Sequence, residues 1–451
     1  MGNYVIGPNN SFNGPGTALT DPNGGKLTVK EKGFLVSTDS HAVSLGISWT
    51  IAIHGAIGTH SPSILARGIS LPTNDAIVST INVGPKGKVF SDSGIAIYAN
   101  HQVTIVNEGK IAGGTTSIDL WTGHDKVINS GKIDGNVSLG GGNDSFINFQ
   151  KIDGKVKHGT VDGFINLGEG HDVFKGGNKA EWVEDGPGSD LYYLGGGSDR
   201  YIATVFDSGD NPDTVDGGKG IDTYDASLAT AAVRINLDKV DHDLSPINND
   251  AFTSAGTAIT GGAGIGVGTD KIKNFENVIG GSASDAIYGN AAANKLEGRG
   301  GGDNLFGYGG NDTLIGGDGS DALAGGKGKD TLWGGNGGGA GDGVLDWFQF
   351  FKTSDSGLTK KTRDVIMDFE TGLDKIDVSF IDANTKNGTG TNDAFSFVGY
   401  GPFNKNPGEI KAVNQGNDTL VQGDVNGDGK ADFSILLKDF TFTLFSSDFI
   451  L

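Results

Sequence analysis

The sequence contains no cysteine, so neither disulfides nor thiolate metal sites can hold it together. Its stability must come from packing, hydrogen bonding or oxygen ligation of a hard cation. No apolar run reaches the roughly 18 residues that a membrane-spanning helix needs. The opening MGNYVIGPNNSFNG has neither the basic stretch nor the apolar stretch of a secretory signal peptide, so export by that route is not expected. Ile6 stands where N-myristoylation requires Ser or Thr. Positive charge is scarce: 34 Lys and Arg against 55 Asp and Glu leave a formal charge of -21, which opposes nucleic acid and anionic lipid and favours cations. Proline is limited to 11 residues, and no G-X-Y period accompanies the 79 glycines, which excludes collagen.

What is present is a repeat with a period of nine. Asp303, Asp312, Asp321 and Asp330 are evenly spaced, and the frame extends back to Asn294 and Asp285. The units read GRGGGDNLF, GYGGNDTLI, GGDGSDALA and GGKGKDTLW. Two residues after each acid or amide comes Ile287, Leu296, Leu305, Leu314, Leu323 or Leu332. A second block over 167–202 reads LGEGHDVFK, GGNKAEWVE, DGPGSDLYY and LGGGSDRYI, with Asp172, Glu181, Asp190 and Asp199 in phase and Lys179 in place of a glycine. GGKGIDTYD adds Asp222 as an isolated unit. Glycines permit the left-handed turn, and the tail forms a short strand that points its large apolar residue inward. An acidic, Gly-rich linker is the plain alternative, but a linker has no reason to keep large apolar residues at one phase through six units.

Calcium takes about six to eight oxygen ligands, more than one loop with a single carboxylate supplies. Stacked loops supply them. If two nonapeptides complete one turn, Asp285 lies over Asp303, Asp303 over Asp321, Asp312 over Asp330, Asp172 over Asp190 and Glu181 over Asp199. Backbone carbonyls of glycines complete the shell, and the candidates are Gly298, Gly300, Gly307, Gly309, Gly316, Gly319, Gly325 and Gly328. A separate cation signal is DVNGDGKAD, which puts Asp424, Asn426, Asp428 and Asp432 at loop positions one, three, five and nine, with Gly429 at the sixth. Ile435 occupies the twelfth position in place of a glutamate, so a weak calcium loop and a purely structural Asx-rich turn both remain open.

Upstream, LTVKEKGFL, INVGPKGKV, VTIVNEGKI and VINSGKI share Gly33, Gly87, Gly109 and Gly131, while AVSL, GIAIY, TSIDL and GNVSL mark a second alternating element. Each coil therefore reads as two short strands, and stacking buries the apolar side that one coil cannot bury alone. An antiparallel sandwich is the alternative. LWTGHDKVI and LGGGNDSFI favour the stack, because they join coil strands to Gly/Asp turns at Asp125 and Asp144. The expected fold is all-β: a parallel β-solenoid (β-helix) continuing into a calcium-binding parallel β-roll, with a C-terminal β-rich domain. The expected division is a lead over 1–25, solenoid over 26–165, first roll block over 166–226, connector over 227–284, second roll block over 285–345 and β-rich domain over 346–451.

These motifs resemble the RTX (haemolysin-type) calcium-binding repeat family. The resemblance implies rows of Ca²⁺ over 167–202 and 285–335, held by acids and glycine carbonyls of successive turns. It also implies export by type I secretion machinery through an uncleaved C-terminal signal. RDVIMDFETGLDKIDVSFIDAN, AFSFVGY and DVNGDGKADFSILL resemble the closing domain of serralysin-type proteins, and SSDFIL is similar to the family's acid-then-apolar ending.

No H-E-x-x-H occurs, so zinc protease activity is not carried over. The histidines at His41, His54, His60, His101, His124, His158, His171 and His242 show no metal-ligand spacing. His54, His60, Arg67 and Asp75 lie near an irregular coil without forming a catalytic motif, so no catalytic residue is assigned. A pore-forming toxin would need long apolar or amphipathic segments ahead of the repeats, which are short strands here. The expected function is that of a secreted, extracellular calcium-binding protein with a non-catalytic surface, matrix or adhesion role and extracellular polysaccharide as a candidate partner. A polysaccharide lyase or epimerase built on the β-helix is the enzymatic alternative.

Overall fold

The computed structural model describes residues 2–72, 77–204, 212–241, 254, 256–260, 267–338, 341–386 and 392–451. Among them there is no α-helix, only two short 3-10 turns, Pro8–Asn10 and Ser446–Asp448. The chain forms two compact units, Met1–Asp222 and Thr223–Leu451.

The first unit is a stack of coils. Gly2–Ile6, Gly25–Val29, Trp49–Ile53, Ser79–Val83, Val103–Asn107 and Lys126–Asn129 pair in parallel, and Ser145–Ile147, Val173–Lys175, Leu191–Tyr193 and Asp213–Asp216 continue the same sheet. Alternation puts every second side chain inside. Leu27, Ile51, Ile81, Ile105, Val127, Phe146, Phe174, Tyr192 and Val215 accordingly line up rung over rung with no solvent exposure. The facing wall carries the matching file Ile69, Ile97, Ile118, Val137, Ile165, Val183 and Tyr201. The solenoid thus runs into the first block of nonapeptides through a continuous core.

Two details depart from the sequence reading. Residues 2–21, expected as a lead, form the first coil, because Gly2–Ile6, Phe12–Gly14 and Leu19–Asp21 each pair with the next coil. The early coils also carry three strands rather than two, for example Trp49–Ile53, Ala56–Thr59 and Arg67–Leu71. The second wall is bent, and in Lys110–Leu120 the bend is absorbed by register shifts around Thr116 inside one long strand. The nonapeptide coils carry two strands, one on each wall.

In the second unit Ile235, Ile287, Leu305, Leu323, Phe348, Ile376 and Phe449 form one inward file, and Val278, Leu296, Leu314, Leu332, Ile366 and Leu437 form the other. Val233–Asn236 and Asn277–Ile279, from the expected connector, are rungs of this roll. Near its far end the sheet adds an antiparallel meander, Glu409–Gln415, Asp418–Asp424 and Phe433–Leu437.

Candidate metal centres

At the turn after each roll strand the acids stack as the 18-residue spacing predicts, with a specific hydrogen-bond pattern. The N–H of Asp285 donates to Asp303 Oδ1 at 2.7 Å, that of Asp303 to Asp321 Oδ1 at 2.7 Å and that of Asp312 to Asp330 Oδ1 at 2.8 Å. In the first unit Asp172 N–H donates to Asp190 Oδ1 at 2.7 Å, Glu181 to Asp199 at 2.8 Å and Asp199 to Asp222 at 2.8 Å. Asp222, read as an isolated unit, is therefore the next rung of the Glu181–Asp199 edge. One carboxylate oxygen ties the preceding turn. The other oxygen of Asp172, Glu181, Asp199, Asp303, Asp312, Asp321 and Asp330 is buried without a hydrogen-bond partner in the protein.

Glycine frames these oxygens. A Cβ at Gly298, Gly307, Gly316 or Gly325 would collide with the carboxylate of Asp303, Asp312, Asp321 or Asp330 in its own loop, and at the first three also with the carbonyl of Gly316, Gly325 or Gly334 one turn on. Gly319 and Gly328 adopt φ of +131° and +148° and lie against the carbonyls of Gly301 and Gly310. Gly300 and Gly309 have ordinary φ and open surroundings. Their neighbours Gly301 and Gly310, at +113° and +121°, hold the position equivalent to Gly319 and Gly328. Consecutive glycines in GRGGGD and GYGGND hide that one-residue difference in the sequence.

Burial is the leading cause of every carboxyl shift in these columns. It raises Asp285 to about 6, Asp321 and Asp330 to about 7, and Asp172, Glu181, Asp303 and Asp312 to about 8. Stacked neighbours add repulsion, as Asp285 and Asp321 do to Asp303. Buried, unpartnered carboxylate oxygens in stacked turns are a donor set for a hard cation. The residues fit calcium, whose chemistry here is to replace the lost solvation of stacked carboxylates.

The region 188–451 matches the Peptidase M10 serralysin C terminal family, and 167–201 matches the RTX calcium-binding nonapeptide repeat (4 copies). The first match spans more than half of the chain. The chain belongs to the serralysin C-terminal family. Its RTX repeats bind Ca²⁺. No curated protein matches it. Among solved structures it is similar to the AlgE6R3 subunit of the mannuronan C5-epimerase from Azotobacter vinelandii, at 23% identity over 38% of this chain and 78% of that one, with a TM-score of 0.19. That likeness is too loose to carry an argument about fold or activity.

The RTX ladders also recruit residues outside the nonapeptide frame. Asp321 N–H donates to Asp346 Oδ1 at 2.9 Å, Asp346 to Asp374 at 3.1 Å and Asp330 to Asp364 at 2.8 Å. Asp190 N–H donates to Asp213 Oδ1 at 2.6 Å. Asp185, in place of the first glycine of its unit, is buried with Asp190 and Asp213, and the three bring carboxylate oxygens within 4.8 Å of one another. The 424–432 loop is built differently. Asp424 accepts the N–H groups of Asn426, Gly427 and Gly429, Asp432 accepts those of Val425 and the Asn426 amide, and Asp428 accepts that of Lys430. Its four sequence-predicted ligands are thus brought together, but in a hairpin turn that its own backbone already satisfies.

Among the described residues, three of the remaining candidates each have a partner of their own. His60 Nδ1 lies 2.8 Å from Asp92 Oδ2, the Arg67 guanidinium lies 3.3 Å from the Tyr98 ring centroid, and His101 bonds Ser79 at 2.8 Å in the interior. His124 and His171 brace turns by accepting the N–H groups of Asn143 and Ser189. Asp75 and His242 lie outside the described residues.

Proposed function

We propose that this is an extracellular protein exported by type I machinery, folded by external calcium, and non-catalytic in a surface, matrix or adhesion role. The observation that carries this is the set of buried carboxylate columns, two in each unit, whose folding calls for a cation abundant outside the cell and scarce inside it. Binding that favours only the folded state then traps the chain once it has emerged. In this reading 26–165, with the first coil over 2–21, presents the solenoid surface, 166–226 and 285–345 are the calcium-loaded blocks, 227–284 runs between them and supplies two rungs of the second roll, and 346–451 carries the export address. The 424–432 loop is a secondary, weaker calcium site, because its oxygens are already engaged.

Asp448 supports an address read before folding. In the fold it is fully buried, accepts the N–H of Gly372 at 2.9 Å and the Thr371 hydroxyl at 2.9 Å, and precedes Phe449, which pairs beside Ile376. These groups are available to a receptor only on the unfolded chain. Deleting 396–451 leaves Trp347–Gln349 and Val365–Ile366, the strands that flank the 285–335 turns, in place. The truncated chain is expected to bind calcium yet stay inside a cell that carries the exporter. Normal secretion of the truncation, with a processed N-terminus, contradicts type I export.

One exposed aromatic, Trp121 over the buried Tyr98, favours binding of extracellular polysaccharide over its cleavage. Trp121 is 58% exposed and meets Tyr98 edge-on at 6.2 Å, with Arg67 on the same Tyr98 ring. Retention of calcium-loaded protein on immobilised polysaccharide, lost in Trp121→Ala and without change in polymer length or epimer content, supports this role. Chain cleavage or epimerisation supports the lyase or epimerase alternative.

A further inference from the structure

The carboxylate column does not begin with the nonapeptides. Asp125 and Asp144 lie upstream of the matched repeats, at intervals of 19 and 28 residues that no nonapeptide frame contains. Nevertheless Val103 N–H donates to Asp125 Oδ1 at 2.5 Å, Asp125 to Asp144 at 2.6 Å and Asp144 to Asp172 at 2.6 Å, which is the bonding seen between repeats. The second oxygens of Asp125 and Asp144 are buried without a partner, and each residue is only 2% exposed. Two residues before each acid stands a left-handed glycine, Gly123 at +132° and Gly142 at +142°, as Gly319 and Gly328 stand before Asp321 and Asp330. A Cβ on Gly142 would strike the carbonyl of Gly123, and one on Gly170 that of Gly142, repeating the contact of Gly319 with Gly301.

The opposite edge of the same coils shows what a stack looks like when it needs no ion. Asn107 Nδ2 donates to Asn129 Oδ1 at 2.8 Å and Asn129 to Asn148 at 2.7 Å, so each amide is both donor and acceptor. An ionised aspartate only accepts. A column of them leaves oxygens facing a gap that something cationic must fill.

We propose that Asp125 and Asp144 bind calcium between coils of the solenoid, extending the ion row two coils ahead of the repeats. This rests on the calcium reading of the roll. It makes the coils around 103–145 part of the calcium-dependent structure rather than a metal-free platform. Burial raises both carboxyls to about 7, consistent with oxygens that lack a counter-charge.

The test uses the full chain refolded in calcium, with bound Ca²⁺ counted by equilibrium dialysis and amide exchange followed by segment. Asp125→Asn and Asp144→Asn keep the oxygen that holds the neighbouring N–H and replace the one facing the gap. Each variant is expected to lose at least one ion and about tenfold of the calcium-dependent protection over 103–129, with protection over 285–335 unchanged. Asp312→Asn serves as the control within the repeats. If it loses calcium while Asp125→Asn and Asp144→Asn bind as the parent does, the extension is overturned and the roll stands. If none of the three loses calcium, both fail. Equal protection of 103–129 in the parent with chelator and with calcium also overturns the extension, whether or not the variants fold.

Discussion

Asp303 shows how one side chain serves two partners: Oδ1 holds the Asp285 N–H, and Oδ2 faces the space that Gly298 leaves by having no Cβ. Because a left-handed φ costs an L-residue about 1–2 kcal/mol, Gly319→Ala should destabilise the calcium-loaded fold by at least that amount. Gly300→Ala, at an ordinary φ with room around it, should stay within about 0.5 kcal/mol. Denaturant titration in excess calcium distinguishes them, and equal losses would contradict the assigned turn positions. The acids at a spacing of nine were legible because spacing and inward residue repeat together. Asp346, Asp364 and Asp374 were not, since inserted segments stretch their intervals to 25, 34 and 28 residues without moving the coil edge. Asp185 was hidden by standing where the motif asks for glycine.

At the scale of the coil, the two edges differ in what they need. The asparagine edge satisfies itself from Asn107 to Asn148, whose amide then donates to Glu181 Oε1 at 2.7 Å, whereas the aspartate edge accumulates charge along its length. Without cation, carboxyls raised to about 7 or 8 in the fold but near 4 in the unfolded chain let the folded state hold more protons between those values. Their support of the metal-free fold is therefore complete below about pH 4 and lost as pH rises through about 7–8. In chelator, circular dichroism should show β-structure increasing as pH falls from 8 to 5, with a flat profile over the same range in calcium. A chelated protein that loses structure on acidification would contradict this. The parallel stacking of coils was readable from shared glycines and alternation. The third strand was not, because segments that read as one strand, LTVKEKGFL and INVGPKGKV, hold a turn between Gly25–Val29 and Phe34–Ser37 and between Ser79–Val83 and Lys88–Ser91.

For the whole molecule, the apolar files supply a core in both units, but glycine-rich turns lose much entropy on ordering and the stacked carboxylates repel. In the proposed calcium-dependent folding, ion binding and folding are therefore one process over the rolls. The fold class was legible in sequence because one coil specifies the next. The role of the exposed solenoid surface was not, because single surface residues such as Trp121 and Arg67 follow no period. The most direct test compares far-ultraviolet circular dichroism and hydrodynamic radius of the full chain in chelator and in millimolar calcium. The expected result is a cooperative gain of β-structure with compaction as calcium is added; identical spectra and radius in the two conditions would contradict calcium-dependent folding.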